Sequence, residues 1–564
     1  QHRPQGQGTR DAQGRQGAHQ HQIAPATRQR FPVQARGRVE VPQVGGQRGQ
    51  HRHLRLVQAG GHEDRQEPLE KIQRRRRKRQ ARPHAAQHVL HAREQLPHRK
   101  GLAQAVVGAG LFLGTGVGIS AAGPAVIIAY AMAGFLAILV MQMLGEMGTV
   151  IPASGSFSEY AEHGIGRWAG FTQGWIYWLA TVAVLGAEIT GASAMMAGWF
   201  GVPQWVPALV AVGILTAVNL AQVKGFGEFE YWFAMIKIVT IMALILVGGY
   251  LAITSFQPPV AGAPPASAAH LWNRGGFFPT GFMGFVAGFQ IAIFSFQGIE
   301  MAGTAAAETA DPEHNLPKAI NSIPARVLIF YVLALGVIMA VQPWDLINPQ
   351  ASPFVEMFSF IGILIAFHIV NFVVLTSAAS SANSGVFSTS RILYGLAREK
   401  DAPPVFAKLS SRHIPRNSLI LTAVCISPAI VLVTLENSVM DAFSLVAGVS
   451  SVLYLSVWGL ILVCYLMYLR KHPERHAESA FKMPAGRVMS WFGIIFFITI
   501  LIMLGFSADS RQALFAAPIW VVFMVVLYRL LASTRANHTR IDFDVERIRA
   551  LEELRRTQEN EHQV

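Results

Sequence analysis

Two apolar stretches of this chain are interrupted by glycine and small polar side chains. One carries Gly108, Gly110, Gly114, Thr115, Gly116 and Gly118, and the other Ser295, Gly298, Gly303 and Thr304. A helix unwound at such a place frees backbone N–H and C=O groups that hydrocarbon cannot satisfy, so the break is tolerable only around a polar ligand or a wet cavity. Each interruption falls in the first helix of a five-helix set. Matched interruptions of this kind point to a carrier built from an inverted repeat, with its substrate held near the bilayer midplane. The competing reading is that glycines let helices pack closely, which suits Gly284 and Gly288 as a small-xxx-small pair. A dinucleotide loop is excluded, because Leu113 stands where the third glycine of that fingerprint belongs and no strand precedes it.

Ionisable side chains inside apolar runs are expensive and need an explanation. Lys237 lies about eight residues into its run, roughly 12 Å at helical rise. A lysine taken out of water can gain or lose its proton as its surroundings change, which suits it to carry a coupling proton; the alternative is a side chain snorkelling to the headgroups. Glu188 and Glu300 are deep in their runs. Glu300, two residues past Gly298, could join a proton path or a gate, and Glu188 could line the cavity; the alternative for each is a hydrogen-bonded structural carboxyl. Glu146, Glu308 and Arg391, near the ends of runs, fit an intracellular gate network, and His368 fits a satisfied interior histidine.

These residues must be positioned by membrane helices. The chain has 564 residues, 52% hydrophobic and only 14% charged, which sets it apart from water-soluble enzymes. Apolar runs long enough to cross a bilayer are expected at twelve places: 102–119, 123–147, 168–198, 204–221, 229–254, 279–306, 319–341, 360–390, 418–435, 442–468, 489–506 and 515–533. With both termini inside, the inward loops hold fourteen Lys and Arg residues and the outward loops two, Arg274 and Arg511, so the positive-inside rule places both termini in the cytoplasm. Cys425 and Cys464 both fall in apolar runs, which excludes a disulfide framework.

The net charge of +14 belongs to one end of the chain. Residues 1–100 hold 22 Lys and Arg against 7 Asp and Glu, whereas residues 101–564 hold 25 against 26. The first hundred also carry 10 of the 19 His, no Met, and Phe31 as their one aromatic residue of the Phe, Tyr and Trp class. Such a segment cannot build a packed core. A basic tail binding RNA or a membrane surface through Arg74–Arg79, a disordered cytoplasmic tail, and translation in the wrong frame all fit; the non-periodic Arg, Gln, His, Pro and Gly composition and the opening Gln1 favour the last. Residues 101–534 are expected to form one helical domain, and residues 535–564 a cytoplasmic tail with a short amphipathic helix around Ile548, Leu551 and Leu554.

Four segments carry a family resemblance: GAGLFLGTGVGISAAGP (Gly108 to Pro124), FGEFEYWFAMIKI (Phe226 to Ile238), FSFQGIEMAGTAAAETADPEHNLPKAINSIP (Phe294 to Pro324) and SAASSANSGVFSTSRILYGLA (Ser377 to Ala397). Together they resemble the amino-acid permeases of the amino acid/polyamine/organocation superfamily over about residues 105–530. The resemblance implies an all-α membrane protein of twelve helices, with a five-plus-five inverted repeat, broken helices 1 and 6, and two extra helices at the C-terminal end. It implies that Gly108, Ala109 and Gly110 receive the substrate carboxylate, that the carbonyls of Phe294, Ser295 and Gln297 accept its ammonium group, and that Phe294 helps close the site. It further implies that Lys237 stands where sodium-coupled relatives hold a cation, with hydroxyls of Ser380, Ser381 or Ser384 nearby. The chain departs from the family pattern at His98 to Val107, which shortens the first half-helix.

The expected function is proton-coupled symport of a small neutral amino acid, glycine, alanine or serine of either hand, across a bacterial-type cytoplasmic membrane. The alternatives are another substrate of the family (proline, asparagine or γ-aminobutyrate), an exchanger or sodium-coupled carrier, and, from different classes, a channel or a membrane enzyme. No like-lined pore face and no converging nucleophile and base supports the last two. The expected partners are the amino acid, the proton and membrane lipid, without cofactor, metal or nucleic acid, in a monomer or weak oligomer.

Overall fold

In hydrocarbon every backbone polar group has to be satisfied within the chain, so runs of Leu, Ile, Val, Ala, Met and Phe fold as helices. The computed structural model describes residues 109–150, 157–221, 226–300, 317–318, 320–435, 439–479, 481–506 and 508–532. Residues 1–100 and the expected C-terminal amphipathic helix lie outside them, as do Gly108, Gly303, Thr304 and Glu308.

The described secondary structure is helical. Its main helices are α1 (Ala109–Ala122), α2 (Val126–Val150), α3 (Arg167–Phe200), α4 (Trp205–Ala221), α5 (Phe226–Ile253), α6 (Gly281–Phe296), α7 (Ile323–Val341), α8 (Leu364–Arg398), α9 (Arg416–Leu435), α10 (Val439–Lys471), α11 (Gly486–Leu504) and α12 (Ala508–Ala532). One helix overlaps each expected run. Among the described residues seven helical stretches are long and apolar enough to cross a membrane, and one of them, Gly114–Thr149, runs through both α1 and α2 because only a 3-10 turn at Gly123–Ala125 separates these. Shorter apolar helices coincide with α4, α6, α9 and α12.

Several expectations are corrected. Gly110, Gly114, Gly116 and Gly118 sit within the continuous helix α1, so a break in this stretch would fall at or before Gly108, outside the described residues. Helix α8 runs on to Arg398, past the expected end near residue 390, because the sequence from Ser390 to Arg398 keeps a helical pattern and reaches water with its basic residues. His368 is exposed rather than interior, its ring stacked on Trp199 at 6.3 Å. Both cysteines are free, Cys464 buried and Cys425 half-buried.

Helix α10 packs along α3, α1 lies against α6, α2 packs on α6, and α8 packs on both α3 and α5. The α1–α6 crossing is close because both helices present glycine. A Cβ on Gly288 would stand 2.6 Å from the Ala122 side chain, and one on Gly284 would meet the Ala121 carbonyl. The small-xxx-small reading of that pair therefore holds. Large apolar side chains such as Leu209, Ile214, Leu246, Ile495, Ile502 and Val522 point outward. Such a coat suits lipid rather than water.

Two connections brace the bundle. Between α5 and α6, buried His270 sets Nδ1 3.1 Å from the Ala340 carbonyl at the end of α7, and burial pushes its imidazole below the usual histidine range. Between α10 and α11, Met483 N–H donates to the fully buried Glu146 of α2 at 2.8 Å, where Tyr465 OH and His476 also bind. Of the expected gate residues, Glu146 is thus tied to this connection, and the Arg391 guanidinium lies 3.4 Å over the Phe387 ring.

Candidate functional site

Helix α6 stops at Phe296. Gln297 turns extended, with φ −63° and ψ 142°, and Gly298 takes φ +89°, a left-handed conformation open to glycine at no steric cost. Among the described residues its backbone bonds are turn-type: Gln297 N–H donates to the Phe294 carbonyl at 3.2 Å and Ile299 N–H to the Phe296 carbonyl at 3.4 Å. The described helix of the sixth run therefore ends at Phe296, and residues 297–300 form a turn.

Gly110 of α1 faces the same place. A Cβ there would lie 2.9 Å from Ser295 Cα and 3.1 Å from the Phe294 ring. The start of the described α1 and the end of α6 are thus in backbone contact, and Gly110 is the residue that permits it. Phe294 is buried, its ring edge-on to Phe443 of α10 at 5.5 Å.

Around the break the polar groups are held by other helices. Ser295 Oγ and Tyr130 OH share a 2.9 Å hydrogen bond, and Tyr331 OH donates to the Ser295 carbonyl at 3.3 Å. Ser450 OH donates to Gln297 Oε1 at 3.1 Å, and Gln297 Nε2 to Ser451 Oγ at 3.4 Å. Glu300, fully buried, accepts from Tyr177 OH at 3.1 Å, from Trp458 Nε1–H at 3.3 Å and from Gly298 N–H at 3.2 Å. A carboxyl with three donors is anchored, and its bond to Gly298 closes the turn after α6.

A second polar group joins α3 and α8. Ser381 OH donates to the buried Glu188 at 2.7 Å, and Ser384 OH to the Ser380 carbonyl at 3.1 Å. Ser377, Ser380, Ser381 and Ser384 recur at helical spacing, so one face of α8 carries the hydroxyls. Lys237 is buried on α5, which packs on α8. Ser381 is thereby assigned to Glu188, a pairing that the spacing alone did not foresee.

The family model described as amino acid permease matches residues 102–540. The chain belongs to the amino-acid permease family. Among curated relatives, the D-serine/D-alanine/glycine transporter of Escherichia coli strain CFT073 is 47% identical over 77% of this permease and 92% of its own length. That of strain K12 is 46% identical over the same shares, 77% and 92%. The aromatic amino acid transport protein AroP of Escherichia coli K12 is 36% identical over 75% of this chain and 91% of its own. Among solved structures, a manganese transporter from Eremococcus coleocola aligns with 77% of this chain and 93% of its own at 17% identity and TM-score 0.48, too distant to assign roles to residues. As a multi-pass membrane carrier the permease is not an enzyme.

In the permease, Gly110, Phe294, Ser295 and Gln297, which the family resemblance implied for one site, lie in one neighbourhood with Glu300. The sequence pattern missed the residues that hold them: Tyr130, Tyr177, Tyr331, Ser450, Ser451 and Trp458. The available signal was weak. Ser450 and Ser451 are adjacent hydroxyls in an apolar run, and the aromatic residues look like ordinary lipid or core side chains.

Proposed function

We propose that this permease is a proton-coupled symporter that imports glycine, alanine and serine of either hand across a bacterial cytoplasmic membrane. Its domain, residues 101–534, would form twelve membrane helices as a five-plus-five inverted repeat with two further helices, both termini lying in the cytoplasm and residues 535–564 forming a tail. The substrate choice follows from the small-amino-acid transporters that are 46–47% identical over most of the chain. The observation that carries the site is the backbone contact of Gly110 with Ser295 beside the opened end of α6.

At that contact the two charges of an amino acid have complementary places. N–H groups at Gly108, Ala109 and Gly110 would receive the carboxylate at the positive end of a half-helix, and the carbonyls of Phe294, Ser295 and Gln297 would receive the ammonium at the negative end of α6. Phe294 would close over the substrate. Lys237 would carry the coupling proton beside the hydroxyl face of α8, with Glu188 and Glu300 in the polar path. Transport is then a population shift between inward-open and outward-open states, driven by the differential affinity of each for substrate and proton.

A competition panel tests the substrate. In proteoliposomes, uptake of labelled glycine is expected to be suppressed by D-serine, D-alanine and L-alanine, and little affected by phenylalanine, γ-aminobutyrate, asparagine or proline. Dominant competition by phenylalanine or γ-aminobutyrate would overturn the choice.

A further inference from the structure

Tyr331 sits inside Leu328–Leu333, a π-helical turn within α7. Such turns interrupt the regular hydrogen-bond ladder and recur at functional sites, where they re-aim a side chain. Here the turn carries Tyr331 to the end of α6. Its hydroxyl donates to the Ser295 carbonyl at 3.3 Å, and its ring stacks on Phe296 at 4.5 Å. The Tyr130 ring lies 5.9 Å from it and sends its own hydroxyl to Ser295 Oγ. Both tyrosines are fully buried.

Ser295 is therefore gripped twice, on its side chain from α2 and on its carbonyl from α7. The last carbonyls of a helix have no intrahelical donor, and each oxygen has two lone pairs. Tyr331 engages one lone pair of Ser295 and fixes the direction of the other. A tyrosine merely seeking an acceptor in the core would need neither a π-turn nor the carbonyl at the helix break.

We propose that Tyr331 is a positioning residue for the substrate: its hydroxyl aims the Ser295 carbonyl at the α-ammonium group and so sets the preference for an unsubstituted primary ammonium. The inference rests on Ser295 being part of the ammonium site. A primary ammonium offers three N–H donors around the α6 end, whereas N-methylglycine offers two, so a well-aimed carbonyl favours glycine over its N-methyl analogue.

The test compares the full-length protein and Tyr331→Phe in proteoliposomes, with glycine and N-methylglycine as substrates. Loss of one hydroxyl bond is expected to raise the glycine KM about three- to ten-fold, with the maximal rate per reconstituted protein within about two-fold. The KM of N-methylglycine moves less, so the discrimination between the two narrows. An unchanged ratio of the two KM values, or a loss of maximal rate alone, overturns the proposal. If Tyr331→Phe does not accumulate in the membrane, 3-fluorotyrosine at position 331 keeps the ring and strengthens the donor; it should lower the glycine KM, and an unchanged value overturns the proposal equally. Gly110→Ala separates the two levels. Normal glycine binding by Gly110→Ala removes the ammonium-site reading itself, whereas blocked binding there with no effect of Tyr331→Phe removes only the role of Tyr331.

Discussion

Gly110→Ala is expected to abolish most glycine transport while leaving the protein inserted and folded. The new methyl would stand 2.9 Å from Ser295 Cα and 3.1 Å from the Phe294 ring. The first of these neighbours is backbone, which cannot rotate away, so α1 and α6 would have to part. Overpacking of this kind costs about 1–3 kcal/mol, which corresponds to roughly a five- to hundred-fold loss in glycine affinity. Propensity works in the opposite direction, since alanine favours a helix over glycine by about 1 kcal/mol. A folding defect is therefore not the expected outcome. Gly198→Ala is the matched control: a Cβ there meets nothing within 4 Å, and transport should be normal. Equal uptake by both variants, measured with labelled glycine at matched protein density, would remove Gly110 from the site.

Lys237→Ala is expected to leave carrier-mediated exchange intact and to abolish accumulation. The side chain is buried on α5, a helix that packs on α8, and α8 carries Ser377, Ser380, Ser381 and Ser384. A cation that comes and goes at this place would favour one state of the carrier when protonated and another when neutral, which links substrate movement to the proton gradient. Without it, glycine should still exchange against internal glycine in counterflow, but an imposed gradient should drive the inside concentration no higher than the outside one. A snorkelling lysine would have no such role. Full proton-driven accumulation by the alanine variant would end the coupling assignment, whatever the state of the substrate site.

The helices were legible from the sequence because hydrocarbon forces a simple solution on long apolar runs. The turn that ends α6 was legible for the complementary reason: Ser295 and Gly298 are poorly suited to the middle of such a run unless something polar surrounds them. Two things were not legible. The glycines from Gly110 to Gly118 serve close packing inside an unbroken helix, as the 2.7 Å approach of a Gly116 Cβ to the Ala351 carbonyl illustrates. A glycine that opens a helix and one that lets a neighbour approach look alike in sequence. The partners of the break were the other gap. Tyr130, Tyr331, Tyr177 and Trp458 reach it from four different helices, and Leu-Ile-Phe-Tyr-Val-Leu gives no sign that it will take a π-turn. Pairing across helices is decided by tertiary packing, which spacing along one helix does not encode. His368 shows the converse error, since its apolar neighbours face lipid rather than the interior.

Uptake into proteoliposomes shows whether this permease uses a proton gradient to concentrate small neutral amino acids, as proposed. With sodium absent and the lumen made alkaline, labelled glycine should accumulate above its external concentration and drain back when a protonophore is added. Accumulation that requires sodium, or uptake that only equilibrates and ignores the protonophore, would contradict the account.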